Sequence, residues 1–318
     1  MSSNAESNPS ASSASTGSTL PEIRITEVGP RDGLQNQGAL IPTDIKIKFI
    51  DALAQSGVAE IEASSFVSPK WVPQLADASE VFAGIKRRNG VIYSALVPNL
   101  RGVERAIESR AEKISVFTAA TDEFCLRNTN VTIAQSIDRF KPVVDLAVSA
   151  GLPVRGYISC VVRCPYTGPV DPSAVAEITK MLLDIGISEI DFGETLGIAV
   201  PTDIERLYEE AGKVMEPGRT TFHMHDTRGT GLACVLAAYE LGVRSFDTSS
   251  GGLGGCPYAP GAAGNIATED VVYCFEKMGI TTGVDLDQLI RAGMIIENAI
   301  GRPLLGRTYH ARKSQCQF

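Results

Sequence analysis

From Pro21 onward, short runs of β-branched and apolar residues alternate with longer stretches in which apolar positions recur at helical spacing. The short runs are Ile23–Val28, Ala59–Ala63, Val91–Val97, Lys113–Phe117, Pro153–Ser159, Glu189–Phe192, Thr220–His225 and Ser245–Thr248, eight in all. Between them the helical pattern covers Thr43–Ser56, Trp71–Ile85, Leu100–Ser109, Ile133–Ser149, Ala174–Ile185, Thr202–Val214 and Thr230–Leu241. Short apolar runs bounded by turn residues predict buried strands, and the i, i+3, i+4 spacing predicts one-faced helices. Thr43 and Thr202 suit N-caps. Gly57, Gly151, Gly186 and Gly242 stand where helices close on a left-handed residue.

Strands alternating with helices imply a parallel sheet. Eight such units predict an α/β fold of the (β/α)8 TIM barrel type, with an open sheet and one miscounted strand as the alternative. No G-x-G-x-x-G follows the first strand, which weakens a dinucleotide-binding reading. The 318 residues suit one barrel of roughly 250 residues with additions. Further helices, Glu269–Met278 and Leu286–Ile300, are expected to cover the barrel or pair subunits. The expected organisation is a single domain over 21–318. Residues 1–20 form a Ser-, Ala- and Asn-rich tail whose one charge is Glu6. The tail has no basic start, no apolar centre and no Arg, so disorder is expected rather than a targeting signal.

Composition narrows the partners. A net charge of −8 and no basic cluster argue against nucleic acid. No apolar run is long enough to span a bilayer. Seven cysteines, an odd number, fall mostly in apolar runs, as reduced thiols of a cytoplasmic protein do. Cys160 and Cys164 are four apart without a matching second pair, so structural zinc is not expected.

In a barrel, reactive groups collect where strands end at their carboxyl side. Strand one ends in Gly29-Pro30-Arg31-Asp32-Gly33, strand two in Glu62-Ala63-Ser64-Ser65, strand six in Asp191-Phe192-Gly193-Glu194-Thr195, and strand seven in His223-Met224-His225-Asp226. The chain has three histidines, and His223 and His225 are two apart, so on a strand both imidazoles face one side. Such a pair is also common on surfaces. With oxygen donors from Asp32 and Asn265 it suits a six-coordinate Mg²⁺ or Mn²⁺ better than tetrahedral zinc. Arg31 reads either as a salt-bridged turn or as a cation aimed at a developing oxyanion. The stretch Gly251–Asn265 is too rich in glycine to pack a core, and it carries Cys256. It reads as a loop that approaches a ligand closely, a CoA or nucleotide phosphate being one candidate.

Three runs carry a resemblance: Glu27-Val28-Gly29-Pro30-Arg31-Asp32-Gly33-Leu34-Gln35-Asn36, Ser65-Phe66-Val67-Ser68-Pro69-Lys70-Trp71-Val72-Pro73 and Gly252-Leu253-Gly254-Gly255-Cys256-Pro257-Tyr258-Ala259. From about Ile23 to Val284 the chain resembles the 3-hydroxy-3-methylglutaryl-CoA lyases among the metal-dependent barrel lyases and synthases. The resemblance implies a homodimeric carbon–carbon lyase of leucine degradation that cleaves an acyl-CoA with Mg²⁺ or Mn²⁺. It implies Asp32, His223, His225 and Asn265 as metal ligands. Glu62 would hold Arg31, Arg31 would stabilise an enolate, and Cys256 would protonate it. Gln35, Ser65, Asn128 and Tyr157, with Asp191, Glu194 and Thr195, would line the substrate pocket. Two positions depart from the family pattern. Strand six usually ends Ser-x-x-Asp-Thr, where this chain has Asp191 and Glu194. His-Asp-Thr-Tyr-Gly is replaced by His225-Asp226-Thr227-Arg228-Gly229, in which Arg228 is placed to balance added acidity. Both bear on the acyl group, leaving citramalyl-CoA or another branched 3-hydroxyacyl-CoA as an alternative substrate. A condensing synthase and a non-catalytic CoA-binding protein are the rival functions. Cys316 reads as either an incidental tail residue or a redox-sensitive thiol.

Overall fold

A computed structural model describes residues 22–255 and 264–316. Eight parallel strands close into a barrel in which each strand pairs with its neighbours in sequence and the last pairs with the first. They are β1 Arg24–Glu27, β2 Glu60–Ser65, β3 Ile92–Leu96, β4 Lys113–Ala119, β5 Val154–Ser159, β6 Glu189–Glu194, β7 Thr220–Met224 and β8 Ser245–Thr248. The helices are α1 Thr43–Ser56, α2 Ala78–Gly84, α3 Leu100–Glu108, α4 Asp122–Thr129, α5 Ile133–Ser149, α6 Pro172–Asp184, α7 Pro201–Ala211, α8 Gly231–Glu240, α9 Thr268–Lys277, α10 Leu286–Ile300 and α11 Arg307–Lys313. Helix α10 packs on α1 and so closes the outer ring after β8. Among the described residues no helix is long and apolar enough to cross a membrane.

Local chemistry sets most boundaries. Asn99 accepts from the Gly102 N–H to cap α3, and Asp171 accepts from Ser173 with Pro172 in the first turn of α6. Thr132 and Gln135 form a capping box at α5. Gly57 closes α1 at φ 93°, and an added Cβ there would strike the Gly283 carbonyl. The expected caps Thr43 and Thr202 are instead helical residues, and Pro42 and Val200 precede the helices. Thr43 donates to Asp77 at 2.7 Å. The helix expected from Trp71 begins at Ala78, because Pro73 starts a separate short turn. Trp71 itself is 86% exposed.

Apolar strand residues face outward to the helices: Phe222 lies 5.4 Å from Phe192 and 6.5 Å from Tyr208 of α7, and Phe246 lies 5.9 Å from Phe275 of α9. The barrel interior is ionic instead. Glu60, Lys113, Arg155, Asp191 and Asp247 point into it and are buried, where TIM barrels ordinarily stack aliphatic layers.

Candidate active site

Strand β1 runs straight into a π-helical turn, Gly29–Gly33, in which the amides of Arg31, Asp32 and Gly33 all donate to the Val28 carbonyl. This tight turn sets Arg31 and Asp32 side by side over the carboxyl-side mouth. Gly29 and Gly33 are required, since a Cβ would strike the Glu27 carboxylate at the first and the Leu253 carbonyl at the second.

Arg31 is buried and uses two of its guanidinium nitrogens on carboxylates. Nε donates to Glu62, and Nη1 donates to Asp32 at 2.7 Å. The other Glu62 oxygen accepts from Ser115 at 2.6 Å. The guanidinium lies 5.5 Å from the centre of the Tyr157 ring. Burial opposes the Arg31 charge, but Glu62 and Asp32 outweigh it and push its pKa up.

Asp32 also accepts from Gln35 at 2.9 Å and, on its other oxygen, from the Asn265 amide at 2.8 Å. His223 Nε2 stands 4.0 Å from that second oxygen. The two imidazole centres are 5.4 Å apart, and His225 pairs with Asn265 across a backbone bridge. Burial raises the Asp32 carboxyl, but Arg31, His223 and Asn265 together hold it below its ordinary range. Burial and then His223 push His225 down to about 4, which keeps its ring neutral with a lone pair available. Burial lowers His223, but Asp247 and Asp32 reverse this and raise it.

Two buried atoms of this cluster have no hydrogen-bond partner: His225 Nδ1 and Asn265 Oδ1. Buried polar atoms are rarely left so. Asp32, His223 and His225 each offer a ligand atom, all within 4.8 Å of one another. A carboxylate and two imidazoles at that spacing, joined by Asn265, whose amide bonds Asp32 and whose oxygen is unpartnered, fit a divalent cation with open positions. The residues present therefore fit the metal that the sequence implies.

The remaining expected site residues fall into two groups. Tyr157 donates to Asp247 at 2.9 Å, beside the cluster. Ser65 ends β2, where its hydroxyl donates to the Leu96 carbonyl at 2.9 Å. Asn128 is exposed on α4 and donates to Phe124 at 2.8 Å, sharing no hydrogen bond with the cluster. Cys256 lies outside the described residues. Asp191 is fully buried, with Arg155 Nη1 3.7 Å from its carboxylate and the Asp247 carboxylate beside it. Burial, then the nearby Asp247 charge, pushes it well above the usual carboxylate range.

Glu194 turns into its own loop, where its carboxylate accepts from the Ile198 amide at 3.2 Å. Arg228 takes the carbonyls of the same turn, Leu196 at 3.0 Å and Gly197 at 3.2 Å. The Thr195 hydroxyl accepts from the Cys160 amide at 2.9 Å. The backbone of Thr195 meets the His225 ring through a hydrogen bond. Because His225 Nδ1 is unpartnered, that bond belongs to Nε2. The two departures at Glu194 and Arg228 thus meet on one turn, and that turn orients a candidate ligand.

Sequence reasoning missed Arg155, Asp247, Glu27 and Glu269. Arg155 and Asp247 are charged residues at inward positions of strands, a signal available in the alternation. Glu27 accepts from the amides of Gly29 and Ser250 and from the Thr268 hydroxyl, at 2.9, 2.8 and 2.7 Å. Glu269 accepts from the Gly251 amide at 2.7 Å. The two acids clasp the root of the glycine-rich stretch, and burial pushes them up to about 7 and about 8. Nothing local in the sequence shows the Glu27 contacts, because Ser250 and Thr268 lie 223 and 241 residues away.

The sequence profile of the HMGL-like family matches residues 22–296. The cytoplasmic 3-hydroxy-3-methylglutaryl-CoA lyase of Rattus norvegicus is 45% identical over 97% of this chain and 89% of its own length. The mitochondrial hydroxymethylglutaryl-CoA lyase of Macaca fascicularis is 47% identical over 91% of this chain and 90% of its own. The crystal structure of hydroxymethylglutaryl-CoA lyase from Pseudomonas aeruginosa superposes with a TM-score of 0.90 at 45% identity, covering 93% of this chain and 99% of that one. A lyase from Acinetobacter baumannii, solved with coenzyme A and 3-methylmalate, gives 0.87 at 39% identity, covering 93% of this chain and 97% of that one. The carboxyl transferase domain of Rhizobium etli pyruvate carboxylase, 18% identical with a TM-score of 0.67, shares the fold alone. The chain belongs to the HMGL-like family.

Proposed function

We propose that this protein is a carbon–carbon lyase that cleaves 3-hydroxy-3-methylglutaryl-CoA to acetyl-CoA and acetoacetate. The observation that carries the reading is the convergence of Asp32, His223, His225 and Asn265 beneath Arg31, with His225 Nδ1 and Asn265 Oδ1 buried and unpartnered. The 45–47% identity to named lyases over nine-tenths of the chain supports the choice of substrate.

Asp32, His223, His225 and Asn265 would hold Mg²⁺ or Mn²⁺ at the mouth. When bound, the cation supplies Lewis-acid polarisation of the substrate's C3 hydroxyl and orients the carboxylate beside it. The C3 hydroxyl proton passes to water at the barrel mouth, the C2–C3 bond breaks, C3 becomes the ketone, and the electron pair passes to the thioester as an enolate. Arg31, held by Glu62 and Asp32, faces that enolate with its remaining nitrogen and stabilises charge that exists only late in the reaction. Cys256 would deliver the proton that completes acetyl-CoA, since a thiol, whose reference pKa in water is about 8.5, is a competent donor at neutral pH. Gln35 orients Asp32. Ser65, Asn128, Tyr157, Asp191, Glu194 and Thr195 complete the proposed pocket, directly or through the loops they hold. The proposal extends to a homodimer in the cytoplasm, acting in leucine breakdown.

The test is incubation of the purified protein with 3-hydroxy-3-methylglutaryl-CoA and citramalyl-CoA in parallel, with products read by mass. Faster release of acetyl-CoA with acetoacetate from the first supports the proposal. Preference for citramalyl-CoA would move the acyl assignment to the pocket around Asp191.

A further inference from the structure

Asp247 sits in β8 between Phe246 and Thr248, with its carboxylate buried in the barrel. Arg155 Nη1 donates to one oxygen at 2.8 Å. The Tyr157 hydroxyl donates to the other at 2.9 Å. His223 Nδ1 lies 3.4 Å from that same second oxygen. The opposite edge of the His223 ring presents Nε2 toward Asp32, 4.0 Å away. A carboxylate at Nδ1 keeps the proton on that nitrogen and leaves the Nε2 lone pair aimed at the candidate cation site.

Arg155 is itself pinned from below. It meets Glu189 at 2.6 Å, Thr26 at 3.2 Å and Glu60 at 3.5 Å, while Lys113 ties Glu60 at 3.1 Å and Glu189 at 2.5 Å. Stability alone does not account for this layer, because well-packed apolar residues in place of a buried ionic cluster are often as stable or more so. A layer of fixed charges does supply what apolar filling cannot, a carboxylate locked in one place directly beneath an imidazole.

We propose that Asp247 is a positioning residue that fixes the tautomer and ring angle of His223, and that Arg155 and Tyr157, braced by the ionic layer, hold Asp247 in place. The proposal rests on the reading of Asp32, His223, His225 and Asn265 as a cation site. It adds a function to charges that take no part in the bond cleavage itself.

The test uses Asp247→Asn in the full chain. The amide keeps the size of the side chain but offers an N–H to Nδ1, so the ring proton moves to Nε2. Mn²⁺ binding, measured by titration calorimetry and by the paramagnetic signal of the free ion, should weaken about 10–100-fold. Proton–nitrogen NMR of the imidazoles at alkaline pH gives an independent readout. With three histidines in the chain, His310→Asn leaves two ring systems to assign. Wild type should show His223 protonated at Nδ1 and His225 at Nε2. Asp247→Asn should change the first and leave the second. Unchanged Mn²⁺ affinity together with an unchanged His223 tautomer overturns the proposal. If wild type takes up no Mn²⁺, the cation-site reading is what fails, and the tautomer alone then decides whether Asp247 orients His223. Should Asp247→Asn not fold, Arg155→Lys keeps the charge while losing the fork. A several-fold weaker Mn²⁺ affinity supports the proposal, and wild-type affinity rejects it.

Discussion

Replacing Arg31 by lysine separates a structural arginine from a chemical one. The guanidinium spends Nε on Glu62 and Nη1 on Asp32, and among the described residues Nη2 makes no hydrogen bond. A planar fork can hold both carboxylates and still present a third nitrogen to the substrate. A single ammonium cannot do all three. The lysine side chain would keep a positive charge between Glu62 and Asp32, so the ion pairs are only loosened and the fold should survive. The donor facing the enolate is what is lost. Removal of one such preorganised donor costs about 2.7–4 kcal/mol, or roughly 10²–10³-fold in kcat. KM should change little, because the lost interaction forms only as charge develops. The assay is steady-state cleavage of 3-hydroxy-3-methylglutaryl-CoA by Arg31→Lys, with urea unfolding and Mn²⁺ titration as controls. A folded, metal-competent variant that turns over within about threefold of wild type would refute the enolate role, since the charge alone would then suffice.

Other expectations follow from the same geometry. Glu27 and Glu269 have native pKa values of about 7 and about 8 against an ordinary 4.5, so the native state keeps protons that the unfolded state releases. Stability should therefore fall as pH rises from about 5 to about 9, on the order of several kcal/mol in all, and Glu269→Gln should flatten that profile in urea melts. Gly197 has φ 58°, and an added Cβ would lie 2.5 Å from the Thr227 hydroxyl. Gly197→Ala should cost roughly 1–3 kcal/mol of stability and weaken Mn²⁺ binding, because the Thr195 carbonyl that orients His225 must shift. Wild-type Mn²⁺ affinity in that variant would disconnect the turn from the ligand. Cys256→Ser should leave Mn²⁺ and substrate binding largely intact while nearly abolishing turnover, since a hydroxyl is a far weaker acid than a thiol. An active serine variant would remove the proton-donor role.

The barrel was legible because each strand and helix announces itself locally, through apolar runs and apolar periodicity. The candidate ligands were legible for a related reason: Arg31, Asp32, His223 and His225 occupy the ends of strands, where this fold collects its chemistry. Asn265 and Cys256 stood out by composition alone, in a glycine-rich stretch that carries no periodicity to place them, and the resemblance is what implied the acid role of Cys256. Arg155 and Asp247 escaped notice because a charged residue in a strand ordinarily faces water, and only closure of the sheet turns it inward. Glu194 and Arg228 were expected to bear on the acyl group, and in the structure Glu194 also bonds an amide of its own turn and Arg228 the carbonyls. The two residues come from separate loops, and nothing in either local segment predicts that they meet. Helix α4 was missed for lack of a clear apolar face. Its polar stretch is capped at the start by Thr121 and closed by Asn130 at φ 56°.

The central claim is that Asp32, His223, His225 and Asn265 hold a divalent cation on which cleavage of the acyl-CoA depends. The most direct measurement treats the protein with a chelator, removes the chelate, and follows 3-hydroxy-3-methylglutaryl-CoA by mass before and after adding back Mg²⁺ or Mn²⁺. Acetyl-CoA and acetoacetate in equal amounts, lost on chelation and restored by the metal, is the predicted result. Full activity in the stripped protein, or no cleavage in the reloaded one, would contradict it.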